Sequence, residues 1–224
     1  MLKLYLDPGH GGTDSGAVGN GLKEKDLTLD IALRIRDLLN KYNDVVVRMS
    51  RSTDTDRSLA ERTNDANSWG ATYFLSVHIN SFNSTASGYE DYIHDSLSDT
   101  SQSAGYRNIL HEEIVKVNGL TDRGKKKANF HVLRESNMPA ILTENGFIDN
   151  ASDAAKLKDP NWRQKVAQGH VNGLVRAFNL TSKSNMHRVI VDGVQIGAYQ
   201  DNQNVLNAVE PYLDTANKIV IEKV

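Results

Sequence analysis

Short apolar runs alternate with stretches of helical periodicity over the first 180 residues, and this alternation limits the folds that the chain can adopt. Residues 2–7 have the apolar character of a buried strand. Apolar residues then recur at helical spacing, at Leu27, Ile31, Ile35 and Leu38. Repeated units of a strand followed by a helix predict an α/β fold with a largely parallel sheet, here of roughly six strands and five helices.

Local signals place the other elements of this first domain. Further strands are predicted at residues 44–49, 72–78, 88–94, 131–133 and 140–144. Helices are predicted at residues 58–70, 101–117 and 162–178. Ser58 and Glu61 have the spacing of a capping box, which satisfies backbone groups at a helix start. Gly119, after Asn118, predicts a left-handed stop at the end of the second of these helices.

A change in composition after Leu180 predicts a second, smaller domain. Residues 1–180 form the first domain, residues 181–185 have the polar composition of a linker, and residues 186–224 follow. The last segment contains a hairpin with an Asp192-Gly193 turn, a helix over 202–213 and a strand over 218–222, which predict a small ββαβ unit. A unit of this size rarely folds unaided, so we expect it to dock on the first domain or to form a homodimer with a second copy.

The composition excludes several classes of protein. The chain has no cysteine, so a metal would have to be held by histidine and carboxylate side chains. A formal net charge of -2 gives no reason to expect nucleic acid as a partner. No apolar stretch approaches the roughly 20 residues of a membrane span, and Met1 leads directly into the first strand. We therefore expect a protein made in the cytoplasm without a signal peptide and without membrane insertion.

Four polar residues stand where predicted strands end or a helix starts. His10, His78 and Glu144 each follow or close a strand, and Glu24 opens the first long helix. The carboxyl ends of parallel strands meet at one edge of a sheet, where ligands collect. Two histidines and a glutamate suit a catalytic zinc with one open position, and a second glutamate is the usual base for its water. Convergence of the four residues would make the chain a zinc hydrolase.

Each of these residues also has a plain structural interpretation. A single histidine after a strand is more often a structural residue than a ligand. Glu144 could instead pair with Arg62 or Arg123, although a carboxylate at the end of an apolar strand is costly to hold without a function. Asp7 is expected to support the turn that carries His10, or to orient a metal ligand.

The four residues lie in four ordered segments of the chain. The segments are Asp7-Pro-Gly-His-Gly-Gly12, Glu24 at the helix start, Ser76-Val-His-Ile-Asn80 and Pro139-Ala-Ile-Leu-Thr-Glu-Asn-Gly-Phe147. They resemble the signature segments of the zinc-dependent N-acetylmuramoyl-L-alanine amidases, peptidoglycan hydrolases of cell-wall lytic enzymes and phage endolysins. The resemblance covers about residues 1 to 180. It implies a twisted six-stranded sheet with helices on both faces, His10, Glu24 and His78 as ligands of one catalytic zinc, and Glu144 as acid/base.

The resemblance implies hydrolysis of the amide between the lactyl group of N-acetylmuramic acid and the L-alanine of the stem peptide. The partner is then peptidoglycan, with its stem peptide and glycan strand, reached at the bacterial cell wall after release from the cell. Asn80, Arg123 and Asn129 are candidates for binding this substrate, and the basic loop at 125–127 could face stem-peptide carboxylates. A zinc carboxypeptidase acting on wall peptides and a non-catalytic wall-binding protein are the alternatives.

The second domain has a resemblance of its own. Val194-Gln-Ile-Gly-Ala-Tyr199 is similar to the opening of sporulation-related repeat domains, which bind glycan strands stripped of stem peptides. Those domains contain two βαβ halves, and residues 186–224 supply one. The similarity implies a small cell-wall-binding domain, or a domain that two chains complete together. Small wall-binding tails of endolysins are the other comparison.

Overall fold

The computed structural model describes residues 1–183 and 186–224, which form two compact units, Met1–Thr181 and Ser182–Val224. The strands of the first unit are β1 (Leu2–Pro8), β2 (Val18–Gly19), β3 (Leu22–Lys23), β4 (Val45–Met49), β5 (Tyr73–Asn80), β6 (Tyr89–Ile93), β7 (Asp122–Lys127) and β8 (Ala140–Phe147). Its helices are α1 (Glu24–Leu39), α2 (Leu59–Trp69), α3 (Gln102–Asn118), α4 (His131–Arg134), α5 (Ala151–Lys158) and α6 (Pro160–Phe178). Of the predicted linker 181–185, Ser184 and Asn185 lie outside the described residues.

Six strands of the first unit form one sheet in the order β4-β1-β5-β8-β6-β7. All neighbouring strands are parallel except β8 and β6, which are antiparallel. Helices α1, α3 and α6 contribute Ile31, Ile114 and Val171 to the core on one face. Helices α2 and α4 contribute Ala66 and Val132 to a smaller core on the other face. The predicted fold, a mostly parallel six-stranded sheet with helices on both faces, is therefore confirmed.

Two segments between α3 and β8 differ from the prediction. Residues 131–133, predicted as a strand, belong to helix α4, in which Val132 and Leu133 are both buried. Two consecutive buried residues do not distinguish a short helix from a strand, because neither period is visible. The basic run at 125–127, predicted as a loop, belongs to β7, an edge strand whose backbone pairs with β6. Its charged composition gives no apolar alternation from which a strand could be predicted.

Local signals at two helix ends agree with the structure. The hydroxyl of Ser58 accepts a hydrogen bond from the Glu61 amide, and the Glu61 carboxylate accepts one from the Ser58 amide, so the capping box is confirmed. Gly119 follows α3 in the left-handed conformation, with φ of 60°. Among the described residues, no helix has both the length and the apolar character needed to cross a membrane.

The second unit is a three-stranded antiparallel sheet with one helix, in agreement with the predicted ββαβ order. Its elements are β9 (His187–Val191), β10 (Val194–Tyr199), α7 (Asn202–Val209) and β11 (Ile219–Lys223), with the strands in the order β10-β9-β11. Val189, Val191, Val205 and Val209 form its core. Helix α7 ends earlier than the predicted residue 213, and Glu210–Tyr212 continue as a 3-10 turn. Pro211 explains the early end, because proline has no N–H to extend the helix.

The contact between α3 and α6 requires a glycine. A Cβ atom added to Gly173 of α6 would lie 2.8 Å from the Cα atom of Leu110 on α3. A backbone atom of a packed helix cannot move aside without displacing its neighbours. By contrast, nothing in the described part of the chain lies within 4 Å of a Cβ added to Gly105 of α3. The two glycines therefore separate the effect of helix packing from the effect of helix propensity.

We expect Gly173→Ala to lower the free energy of unfolding by about 1–3 kcal/mol, because the added methyl group forces α3 and α6 apart. Urea denaturation followed by circular dichroism measures the change. Gly105→Ala is the matched control and should raise the free energy by about 0.5–1 kcal/mol, because alanine is the better helix former. Equal effects of the two substitutions would show that the packing of α3 on α6 does not depend on this close approach.

Candidate metal centre

The four polar residues singled out in the sequence lie at the carboxyl edge of the sheet. His10 follows β1, and His78 and Glu144 are register partners near the ends of the neighbouring strands β5 and β8. Glu24 is the first residue of α1, and its amide donates to the carbonyl of Ala17 in the loop that returns the chain to this edge. The parallel arrangement of β1, β5 and β8 brings these side chains to one place.

His10, Glu24 and His78 form a tight cluster. Glu24 Oε2 lies 3.1 Å from His10 Nε2, and Glu24 Oε1 lies 2.9 Å from His78 Nδ1. One potential ligand atom of each residue lies within 4.8 Å of those of the other two. Within residues 1–183 and 186–224, no other group of three such side chains has this geometry. Two imidazole nitrogens and a carboxylate oxygen are donors that suit a four-coordinate metal ion with one open position.

Glu24 gives the cluster a buried negative charge. Burial raises the pKa of Glu24, but hydrogen bonds and charge from His10 and His78 outweigh this effect and hold the pKa far below its usual range. The amides of Ala17 and Ile79 also donate to the Glu24 carboxylate, at 2.8 and 3.0 Å. Glu24 is therefore a buried, deprotonated carboxylate between two basic nitrogens, an environment that stabilises a bound cation.

Asp14 holds His10 from the outer side of the ring. His10 Nδ1 lies 2.8 Å from Asp14 Oδ2, and Asp14 Oδ1 accepts a hydrogen bond from the Gly16 amide. Burial lowers the pKa of His10, but Glu24 and Asp14 outweigh burial and raise it. A carboxylate on one ring nitrogen fixes the tautomer and leaves the other nitrogen as the donor toward a metal. The sequence prediction did not include Asp14, although its place four residues after His10 is a usable signal.

Two buried arginines hold the loop that carries His10. Arg62 donates from Nη1 to Asp7 Oδ1 at 2.6 Å and from Nη2 to the His10 carbonyl at 2.8 Å. Arg51 donates from Nη2 to the Gly9 carbonyl at 2.8 Å. Burial raises the pKa of Asp7, but the Arg62 charge and nearby hydroxyl groups outweigh it and hold the pKa below its usual value. Asp7 thus supports the turn, and it does so through Arg62.

The same loop lies directly against the ring of His78. A Cβ atom on Gly9 would lie 2.3 Å from His78 Cε1, so only glycine allows the loop to approach this closely. A cleft of about 480 Å³ opens beside His10 and His78, and Arg57, Ser58 and Leu59 also line it. The cluster is therefore accessible to a ligand from outside.

Glu144 stands next to the cluster, as the register partner of His78. Its Oε2 atom is buried and accepts no hydrogen bond from the described residues, although the residue as a whole is half-buried. Burial raises the pKa of Glu144 well above its usual value, and the negative charges of Glu24 and Glu90 raise it further. An unpaired carboxyl with a raised pKa beside a metal-binding cluster is typical of a group that transfers protons.

Arg62 and Arg123, the two possible partners of Glu144 in the sequence, each pair with a different carboxylate. Arg62 pairs with Asp7, and Arg123 Nε lies 2.6 Å from Glu90 Oε2. The sequence prediction did not include Glu90, which is buried on the neighbouring strand β6. Its sequence surroundings give no signal, because Glu90 is followed directly by Asp91 and no alternation of polar and apolar residues shows which side chain faces inward.

The three candidate substrate-binding residues lie in two different places. Asn80 Nδ2 donates to Glu90 Oε1 at 2.8 Å, so Asn80 and Arg123 meet at the same carboxylate. Asn129 Oδ1 accepts a hydrogen bond from Arg134 Nη1 at 2.6 Å and contacts His94. Strand β6 runs antiparallel to β8, away from Glu144, and His94 follows its far end. The structure therefore brings Asn80 and Arg123 close to Glu144 and leaves Asn129 at the opposite edge of the sheet.

Comparison with known proteins identifies similar sequences. Residues 4–176 match the protein family described as N-acetylmuramoyl-L-alanine amidase. The chain is 53% identical over 205 residues to the N-acetylmuramoyl-L-alanine amidase CwlM of Bacillus licheniformis, an alignment that covers 91% of this chain and 78% of that protein. It is 42% identical over 188 residues to the endolysin of Bacillus phage SPP1, covering 82% of this chain and 69% of that protein.

A solved structure has the same fold. The catalytic domain of CwlV, an N-acetylmuramoyl-L-alanine amidase from Bacillus (Paenibacillus) polymyxa var. colistinus, superposes with a TM-score of 0.76 at 36% sequence identity. The superposition covers 81% of this chain and 100% of that domain.

We expect Glu144→Gln to raise the free energy of unfolding of the metal-free protein by about 1–3 kcal/mol at about pH 8, because an unpaired buried charge is removed. A raised pKa in the folded state means that ionisation opposes folding above the unfolded pKa of about 4.3. Below that pH the carboxyl is protonated in both states, so the gain should shrink as the pH falls. Urea denaturation across this pH range measures it.

Glu90→Gln is the matched control on the neighbouring strand. Burial raises the pKa of Glu90, but Lys126, Tyr92 and Arg123 outweigh burial and lower it, so its removal should destabilise the protein at neutral pH. If Glu144→Gln left the free energy of unfolding unchanged at every pH, the Glu144 carboxyl would be well solvated, contrary to the structure.

Proposed function

The chain belongs to the N-acetylmuramoyl-L-alanine amidase family and acts on peptidoglycan, and we propose that it does so with one zinc ion held by His10, Glu24 and His78. The amidase cleaves the amide between N-acetylmuramic acid and the L-alanine of the stem peptide. The observation that carries the proposal is the convergence of two imidazoles and a carboxylate beside the unpartnered Oε2 atom of Glu144.

The residues present fit a zinc ion by their chemistry. The donor set offers two imidazole nitrogens and a carboxylate oxygen, and Glu24 is deprotonated because its pKa is lowered. Asp14 keeps His10 in the tautomer that a metal ligand needs, and Arg51 and Arg62 fix the loop that positions the ring. A zinc ion bound there would supply Lewis acidity, which polarises a carbonyl and lowers the pKa of a water.

Glu144 is the proposed proton carrier of the reaction. Its Oε2 atom accepts the proton of the attacking water and later donates that proton to the leaving nitrogen of L-alanine. The raised pKa of Glu144 favours its protonated form, so the carboxyl can hold the proton between the two steps. The absence of a hydrogen-bond partner among the described residues leaves the Oε2 atom free for this exchange.

The site of action follows from the substrate. Peptidoglycan is outside the cytoplasmic membrane, so we propose that the enzyme acts at the cell wall after release from the cell, as an endolysin or a sporulation amidase would. The predicted role of residues 186–224, binding of the wall or pairing with a second copy, stays a prediction.

Analysis of reaction products by mass spectrometry tests the proposed function. We expect purified cell walls treated with the protein to release intact stem peptides with new L-alanine amino termini, while the glycan strands remain whole. A metal chelator should abolish this release, and added zinc should restore it. Release of D-alanine alone would identify the carboxypeptidase alternative. No release with or without zinc would identify a non-catalytic wall-binding protein.

Two substitutions separate the roles of the proposed ligands and of Glu144. We expect Glu144→Gln to lower turnover by about 10²- to 10⁴-fold while zinc stays bound, because the proton carrier is not a ligand. His78→Ala should lose zinc and activity together. Elemental analysis of the purified variants measures their zinc content. Loss of zinc from Glu144→Gln would place that carboxylate among the metal ligands and refute the assignment.

A further inference from the structure

We propose that Arg123 and Lys126 form a binding site for a carboxylate of the stem peptide, and that Glu90 holds them in position. The inference rests on the proposed function and extends it to the peptide part of the substrate. Arg123 and Lys126 lie on the edge strand β7, and both donate to the same oxygen of Glu90.

The strand register places this pair beside Glu144. Glu144 on β8 is the register partner of Glu90 on β6, and β6 pairs in parallel with β7. Directly opposed residues of neighbouring strands share one face of a sheet, so Glu144 and Glu90 face the same side. Neighbouring strands lie about 4.8 Å apart, which puts β7 roughly 10 Å from β8. A position two strands from the proposed proton carrier is within reach of a bound peptide.

Glu90 fixes the two cationic groups. It is 2% exposed, and its Oε1 atom accepts hydrogen bonds from Asn80 at 2.8 Å and from Tyr92 at 2.6 Å. Its Oε2 atom accepts from Arg123 and Lys126. Because Glu90 is buried and hydrogen-bonded to Asn80 and Tyr92, its carboxylate has a fixed position. The cationic groups of Arg123 and Lys126 are therefore held where this carboxylate binds them. Glu90 is therefore a positioning residue, because it acts through Arg123 and Lys126.

The cluster has an excess of positive charge and unused donors. Two cations share one carboxylate, and their side chains are 33% and 36% exposed. The Arg123 guanidinium also lies 4.8 Å from the centre of the Phe147 ring, which restrains its orientation. Arg123 Nη1 also donates to the Ser87 carbonyl at 3.4 Å, whereas Arg123 Nη2 has no acceptor among the described residues and is available, with the outer N–H groups of Lys126, to an anion from solvent. A preorganised pair of this kind binds a carboxylate through charge-assisted hydrogen bonds.

The stem peptide is the part of the substrate that carries free carboxylates at this distance. The lactyl carboxyl of the sugar is consumed in the scissile amide, so the glycan offers no anion at this bond. An extended peptide advances about 3.5 Å per residue, so a span of roughly 10 Å corresponds to about three residues from the scissile amide. A carboxylate on one of the first stem residues can therefore reach Arg123 and Lys126.

Kinetics on two synthetic substrates test the proposal. The full-length, zinc-loaded protein is given a soluble muramoyl tripeptide with free carboxylates, and the same compound with each carboxylate converted to a neutral carboxamide. We expect kcat/KM to be about tenfold higher for the carboxylate form, because a charge-assisted hydrogen bond is lost in the amide form. The difference should arise from a lower KM for the carboxylate form and not from kcat. Rising salt concentration should reduce this preference, because the pair is partly exposed.

Variants of β7 show whether the preference comes from this pair. Lys126→Gln and Arg123→Gln should each lower the preference toward one, and Lys126→Arg should keep it. Lys125→Gln is the matched control, because Lys125 pairs in register with Asp91, whose side chain binds His111 of α3 on the other face. Circular dichroism checks that each variant is folded. The salt dependence is measured on the wild-type protein, so it tests the proposal even if a variant does not fold.

Two results would overturn the proposal. Equal kcat/KM for the two substrates of the wild-type protein would refute the carboxylate site while leaving the amidase function intact. Loss of the preference in Lys125→Gln to the same extent as in Lys126→Gln would show a general charge effect of β7. Hydrolysis of neither substrate, together with no release of stem peptides from walls, would refute the proposed function itself.

Discussion

The buried pair of Asp7 and Arg62 connects the end of β1 to the loop that carries His10, and the rest of the site depends on this connection. Such a pair adds little net stability, because the loss of hydration offsets the attraction of the charges. Its contribution here is geometric. Arg62 binds the Asp7 carboxylate and the His10 carbonyl at once, so the first turn after the strand has its carbonyl groups satisfied in one conformation.

Glu144 and Glu90 show how the same side chain acquires opposite properties from its surroundings. They are register partners on β8 and β6, yet burial without a partner raises the pKa of one, while cationic neighbours lower the pKa of the other. One carboxyl is thereby suited to carry a proton, and the other remains an anion that organises Arg123 and Lys126. Neutralising Glu90 by these cations also limits the repulsion between two carboxylates on one face.

Local sequence patterns predicted the central strands and the polar residues at their ends. Features that depend on contacts between residues far apart in sequence were not predicted. The apolar runs of β1, β5 and β8 gave the sheet, and polar residues at their ends gave the cluster. Strand β7 and helix α4 were not predicted, because β7 contains only charged residues and one glycine and α4 is too short to show a period. Arg51 and Glu90 could not be assigned, since a buried arginine or glutamate differs from a surface one only in partners that lie far away in sequence.

Strand β7 also bears on how the protein behaves at high concentration. An edge strand presents unpaired backbone groups, and such an edge can recruit a strand from another molecule and start aggregation. Three consecutive lysines, Lys125, Lys126 and Lys127, occupy this edge. Their mutual repulsion between molecules opposes edge-to-edge association. The charged composition that prevented the prediction of β7 therefore also protects this edge of the sheet against aggregation.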